Sequence, residues 1–282
     1  MLTAVFWDVQ HGLAAYLATP DKHVVIDLGV GSYGARDATF SPLRHLQANG
    51  VSTLDGVVIT HPHRDHIDDI LNFDALSPRA LHRPQHLTAD AIRAANSDQD
   101  QPIVARYLDI DQRYRETVPP ERDPFRAENN GGTAFQFFTP TKCADTNINN
   151  HSIVTIVSHA GVKLLIPGDN EPPSWDELLG RPAFVQAIAG TDVLVAPHHG
   201  RDSGFHAPLF EKIQPRLIII SDGRFCDTSA TDRYDKEATG WTVHQRSGGT
   251  QTRKCVTTRS DGTIVLKVGT RDQRAFLEVT VD

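Results

Sequence analysis

Short apolar runs recur along the chain at intervals that suit strands. Residues 57–59, Val193-Leu194-Val195 and Leu217-Ile218-Ile219-Ile220 are apolar at every position, which predicts strands covered on both faces. Residues 3–9 and 14–19 are β-rich, and 23–27 return as a third strand after the turn Pro20-Asp21-Lys22. Further strands are predicted at 134–138 and 275–281. Two hairpins are predicted: 152–158 with 162–166 across Ala160-Gly161, and 254–258 with 263–268 across Asp261-Gly262. Helices fall between them. One starts at Ser41-Pro42 and stops near Asn49-Gly50; others cover 67–75, 88–95 and 103–116, and one begins near Pro173-Ser174 and passes Trp175. A glycine-rich loop fills 29–34. Strands dominate both ends and no repeat or linker interrupts them, so the pattern predicts two β-sheets packed face to face with helices outside, in one domain spanning 1–282.

Composition narrows this little. At 282 residues, 39% apolar and 22% charged, the chain can bury a sizeable core. Its net charge of −7 gives no overall attraction for nucleic acid, so such a substrate would need a local basic patch or bound metals. Cys143, Cys226 and Cys255 are widely spaced and read as reduced thiols, which implies a cytoplasmic location. The amino terminus lacks the basic region of a signal peptide, and no apolar run reaches the length of a membrane span.

The chemistry gathers in Thr60-His61-Pro62-His63-Arg64-Asp65-His66, directly after an apolar run. Three imidazoles and a carboxylate within six residues suit a metal cradle better than a core or a surface. In extended chain His61 and His63 project to one side, while Asp65 and His66 fall where the helix begins and can face a neighbouring position. The spacing reads as two adjacent metal sites, each half-built by this loop. Other apolar strands also end in polar clusters: Asp27, Asn149-Asn150-His151, Asp169 and His198-His199. Taken alone, Asp169 in Pro-Gly-Asp and Asp27 before glycine could each be turn residues. His23, His45, His82, His86 and His159 read as surface residues, His206, His244 and Arg201 as loop residues within reach of the site mouth, and Trp175 and Trp241 as packing.

These clusters together resemble the metallo-β-lactamase superfamily, whose signature is H-x-H-x-D-H. Within it the chain is similar to the soluble hydrolase domain of the competence DNA-uptake protein ComEC and its free-standing relatives. The resemblance is carried by Asp8-Val9-Gln10-His11-Gly12, Ile26-Asp27-Leu28-Gly29, Asn149-Asn150-His151-Ser152, Pro167-Gly168-Asp169, Pro197-His198-His199-Gly200 and Ser260-Asp261-Gly262. It runs nearly end to end and fades between residues 77 and 138. It implies an α+β fold, the four-layer αββα sandwich, with two divalent metal ions, zinc first and manganese second. It places His61, His63 and His151 on one metal, and Asp65, His66 and His198 (or His199) on the other, with Asp169 bridging. Adjacent histidines in extended chain cannot point the same way, so His198 is taken as the ligand and its neighbour His199 as facing substrate. Asp65, Asp169 and His199 are the residues expected to act in catalysis. Asp27 is expected to orient a ligand histidine through its other ring nitrogen.

Two departures bear on substrate. Gln10-His11 stands where relatives have Gly-Gln, and Asp68-Asp69 replaces a pair of glycines, adding carboxylates that would repel phosphate unless they point away. The leading expectation is a phosphodiesterase or nuclease acting on a small-molecule or nucleic-acid phosphodiester, with water acidified between the metals. A carboxylic ester, thioester or lactone hydrolase on the same site is the alternative, and a non-catalytic binding module the second. No Ser-His-Asp nucleophile or membrane role is implied.

Overall fold

The computed structural model describes residues 1–31, 40–223 and 229–282. Cys226 and the second half of the glycine-rich loop, residues 32–34, lie outside them.

Fifteen strands among the described residues form two sheets. In chain order they are β1 (Leu2–Phe6), β2 (Ala15–Ala18), β3 (His23–Ile26), β4 (Gly56–Val58), β5 (Leu81–His82), β6 (Ala134–Phe138), β7 (Val154–His159), β8 (Val162–Ile166), β9 (Val193–Val195), β10 (Leu217–Ile220), β11 (Trp241–Gln245), β12 (Thr250–Arg253), β13 (Cys255–Thr257), β14 (Ile264–Arg271) and β15 (Arg274–Val281). The larger sheet has the order β12-β11-β15-β14-β1-β2-β3-β4-β5, and the smaller β13-β10-β9-β8-β7-β6.

Alternation along the strands makes the layers. Val24 and Ile26 of β3 face the central core with Val193 and Val195 of β9 and Leu217 and Ile219 of β10. Their neighbours face outward. Val25 and Val57 pack under α1 (Pro42–Ala48), α2 (Arg64–Ile67), α3 (Ala89–Ala94) and α4 (Gln101–Arg113). Leu194, Ile218 and Ile220 pack with Trp175 and Leu178 of α5 (Pro172–Leu179) and Phe184 of α6 (Pro182–Ile188). Three apolar clusters separated by two sheets are the αββα sandwich expected from the pattern.

Local chemistry sets several boundaries. Ser41 caps α1, its hydroxyl accepting from the Arg44 amide. Thr88 caps α3 in the same way. The turn between β7 and β8 has Ala160 and Gly161 both at positive φ, as a two-residue hairpin demands.

Two expectations need correction. The segment after the motif loop is a single turn, α2, followed by a 3₁₀ helix over Asp68–Leu76 rather than one α-helix. Nor do 254–258 and 263–268 form a hairpin: β13 pairs with β10 in the smaller sheet, while β14 pairs with β1 and β15 in the larger. Gly262, at φ 64° and ψ −140°, carries the chain from one sheet to the other.

Candidate metal centre

The ends of β3, β4, β8, β9 and β10 meet at one edge of the sandwich. Asp27 follows β3 at φ 59° and is fully buried, its carboxylate accepting from the Thr60 amide and hydroxyl, each at 2.7 Å. The Thr60 hydroxyl thereby fixes the start of the histidine loop. The same carboxylate accepts from His66 Nδ1 at 2.7 Å, which leaves His66 Nε2 aimed inward.

His199 is set by the same logic from the other sheet. Its Nδ1 donates to the Ser221 carbonyl at 3.0 Å, and its Nε2 faces His66 Nε2 at 3.2 Å. Asp65 Oδ2 lies 3.2 Å and Asp169 Oδ2 3.3 Å from His199 Nε2, and Asp169 Oδ1 lies 3.2 Å from His66 Nε2. Ligand atoms of Asp65, His66, Asp169 and His199 thus all fall within 4.8 Å of one another.

Beside this group stands a pair. His61 Nε2 and His63 Nδ1 are 3.0 Å apart, and His61 Nε2 is 3.9 Å from Asp169 Oδ2. The Thr60 hydroxyl donates to Asp27, so it accepts from His61 Nδ1 at 3.2 Å and turns His61 Nε2 to the same centre. Asp169 therefore touches both groups.

The donor set fits divalent cations. Imidazole nitrogens with fixed tautomers converge with two carboxylates in a buried space, where their charges must be balanced. Without a cation the balance falls on protons. Burial would lower the pKa of His66, yet the carboxylates of Asp169, Asp27 and Asp65 hold it well above the ordinary value. Burial likewise opposes His199, and Asp169 and Asp65 raise it to about 9. His61, in contrast, is pushed well below the ordinary value by burial and by the neighbouring His66 charge. Against burial, His66 and His199 keep Asp65 and Asp169 ionised, well below the usual carboxylate range.

Not every residue picked from the sequence joins this centre. His198 turns its Nδ1 to Glu171 Oε1 at 3.1 Å and the Ser203 hydroxyl at 2.8 Å. Its Nε2 is as far from Asp169 Oδ2 as that of His61, 3.9 Å, but it falls outside the group of Asp65, His66, Asp169 and His199. Among the described residues it also has no second imidazole against its ring nitrogens, as His61 has His63. The backbone explains why. His198, His199 and Gly200 have φ of 50°, 55° and 71°, so the chain here is left-handed rather than extended, and it is His199 that points inward. His151 pairs elsewhere as well: its Nδ1 is 2.8 Å from His86 Nε2 and its Nε2 3.4 Å from Asp145 Oδ1. His86 is exposed, as its surface reading had it, and the correction there is that it has a partner. His159 is corrected on both counts, since it is buried against the Thr133 hydroxyl.

Two more residues stand at the centre. His11 Nε2 is 3.2 Å from Asp65 Oδ2, and its ring lies 4.6 Å from that of His199. Arg201 Nη2 approaches His11 Nε2 at 3.3 Å, which places Arg201 at the site and not on an unrelated loop. The Gln10-His11 departure and the reach of Arg201 to the site mouth were the two hints of this in the sequence. Asp69 points away: it accepts from the Ser41 hydroxyl and the Leu43 amide at the start of α1. Asp68 pairs with Arg64 at 3.4 Å. Neither of these two carboxylates contributes to the donor group.

Fold and donor set together define a protein class. Residues 7–204 match the Metallo-beta-lactamase superfamily, and the chain belongs to that superfamily of metal-dependent hydrolases. Its relatives include Recombination protein 2 of Haemophilus influenzae, 24% identical over 77% of this chain, and Competence protein ComA of Neisseria gonorrhoeae, 22% identical over 77%. The uncharacterized protein YcaI of Escherichia coli is 24% identical over 84% of the chain. The matched regions amount to 24%, 26% and 28% of those three proteins, so the chain spans about a quarter of their length. This similarity accords with the ComEC-like resemblance of the motifs. Among solved structures, Igni18, a metallo hydrolase from the archaeon Ignicoccus hospitalis, superposes with a TM-score of 0.53 at 15% identity, covering 94% of this chain and 99% of its own. That likeness concerns the fold. Among the described residues no helix is long and apolar enough to cross a membrane.

Proposed function

We propose that this chain hydrolyses phosphodiesters, as a nucleotide phosphodiesterase or nuclease, with two divalent cations, zinc first, at the centre just described. The observation that carries the reading is Asp169, whose Oδ1 lies 3.2 Å from His66 Nε2 and whose Oδ2 lies 3.3 Å from His199 Nε2 and 3.9 Å from His61 Nε2. His61 and His63 with Asp169 would hold one cation, and Asp65, His66 and His199 with Asp169 the other. Such a pair acidifies water and stabilises charge on the attacked phosphate. The names of two relatives, one tied to recombination and one to competence, support a nucleic-acid phosphodiester, and the turning away of Asp69 removes an obstacle to phosphate.

The remaining steps belong to the chain's own residues. Asp27 and the Ser221 carbonyl keep His66 and His199 in the tautomer whose Nε2 is a lone pair. His198, no longer a ligand in this reading, stands at the rim with Glu171 on its Nδ1. Glu171 fixes the orientation of the ring, so His198 Nε2 is placed to give a proton to the departing oxygen. The same contact with His198 is the first cause of a lowered Glu171 pKa.

A protein of measured metal content should cleave an aryl phosphodiester and short oligonucleotides faster than a lactone, and Asp169→Ala should abolish the cleavage. Faster turnover of the lactone would move the assignment to carboxylic esters, and full activity in Asp169→Ala would remove the site from the reaction.

A further inference from the structure

We propose that Arg201 and His11 form a clamp for a non-bridging anionic oxygen of the substrate, which selects negatively charged phosphodiesters over neutral esters at the centre. The proposal rests on the phosphodiester reading and deepens it.

His11 is held rigidly. It sits in the turn after β1, where the Gly12 carbonyl accepts from the Ser221 hydroxyl at 2.7 Å. A Cβ on Gly12 would come within 2.5 Å of the Asp65 carbonyl oxygen, and one on Gly223 within 2.8 Å of the His11 amide. The turn is thus wedged between the histidine loop and the end of β10. Arg201 is anchored from the opposite side. Its amide donates to the His198 carbonyl at 3.0 Å, and its backbone bridges to Ser229.

The side chains meet at one atom. His11 Nε2 lies 3.2 Å from Asp65 Oδ2 and 3.3 Å from Arg201 Nη2. A ring nitrogen can donate to a carboxylate as N–H or accept from a guanidinium as a lone pair, and it cannot do both. One of the two neighbours therefore keeps unspent hydrogen-bonding capacity at this point. Arg201 has more in reserve: its Nε is buried and has no hydrogen-bond partner among the described residues. An anionic oxygen seated between Arg201 and His11 accepts from both and removes the conflict.

Substrate chemistry then decides. A carboxylic ester or lactone offers one carbonyl oxygen, which hydrolysis requires at the metal cradle, and leaves nothing for Arg201. A phosphodiester has two non-bridging oxygens sharing a negative charge, one for the cradle and one for the clamp. The guanidinium fork suits that geometry better than an ammonium.

The test compares two probes that differ in charge, the monoanion ethyl phenylphosphonate and its neutral diester diethyl phenylphosphonate. Binding to metal-loaded protein is measured by calorimetry, with metal content and Tm determined for every variant. Wild type should prefer the monoanion. Arg201→Gln should weaken monoanion binding roughly 10- to 100-fold, leave the diester near its wild-type affinity and keep the metal content; Arg201→Lys should recover part of the loss. His11→Gln should weaken the monoanion less and serves if the arginine variants do not fold. The clamp is overturned by an unchanged monoanion affinity, by parallel loss of both probes, by a wild type that does not prefer the anion, or by loss of metal in Arg201→Gln. Phosphodiester and lactone turnover by wild type tests the reaction itself, so either idea can fail without the other.

Discussion

A single pair of adjacent residues decides how the second half of the centre is built. His198 and His199 both sit at positive φ, a region that costs of order 1–3 kcal/mol for a residue other than glycine and persists where the surroundings enforce it. What enforces it here is the Ser221 carbonyl on His199 and Glu171 on His198, which pull the two rings apart. His199→Ala should therefore strip metal from the group with Asp65, His66 and Asp169, while His198→Ala keeps its metal and loses turnover. Metal analysis after dialysis separates them, and equal losses in both variants would mean that the two rings share one role. The chemical types at this centre were legible in the sequence: His61, His63, Asp65, His66 and Asp169 meet, and Asp27 holds His66. Which of two adjacent histidines faces inward was not, because it depends on a left-handed backbone that no spacing reveals. His151 escaped for a related reason. Its partners His86 and Asp145 are brought to it by the fold and share no pattern with it.

Strands were readable where an apolar run was long enough, and the runs at β9 and β10 needed nothing more, whereas β5, β11 and β12, with few apolar positions each, were not predicted. Sheet membership was another matter. Periodicity shows that 255–257 and 264–271 are strands, but Asp261-Gly262 looks the same whether it turns a hairpin or crosses between sheets. Long-range pairing decides it: β13 lies parallel to β10 through Ile218, Ile219 and Ile220, and β14 joins β1. The loop after β8 shows how one such connection serves the site. Gly168 has φ 61°, and a Cβ there would come within 2.8 Å of the Thr60 Cβ and 2.9 Å of the Ser152 Cβ. The loop that carries Asp169 is thus packed directly on the loop that carries His61. Gly168→Ala should lower stability by about 1–3 kcal/mol through strain and overpacking and weaken metal binding with it. A Tm and metal affinity equal to wild type would show that the close approach does not set the position of Asp169.

Across the whole molecule, the two sheets are also joined away from the metals, and this seam has its own response to acid. His82 of β5, at the edge of the larger sheet, stacks on Phe137 of β6 in the smaller one, with ring centres 3.9 Å apart and Phe125 closing the side. Burial lowers its pKa to about 4, and Arg83 adds to the effect. In the unfolded chain the ring would titrate near its ordinary value of 6.5. Between pH 6.5 and 4 the unfolded chain therefore binds a proton that the native fold does not, so stability falls as pH falls through this window and is fully present above it. A shift of this size corresponds to roughly 3 kcal/mol at most, and partial exposure of the ring reduces it. His82→Phe keeps a ring against Phe137 and removes the titration. With both proteins stripped of metal, its Tm should fall less than that of wild type between pH 6.5 and 4, while the two differ little in the slope above pH 7. The centre's own carboxylates and imidazoles titrate alike in both proteins, so the difference between the curves isolates the seam. Parallel curves across the acid window would mean that His82 takes up its proton in the native state, and that the sheets part there without unfolding.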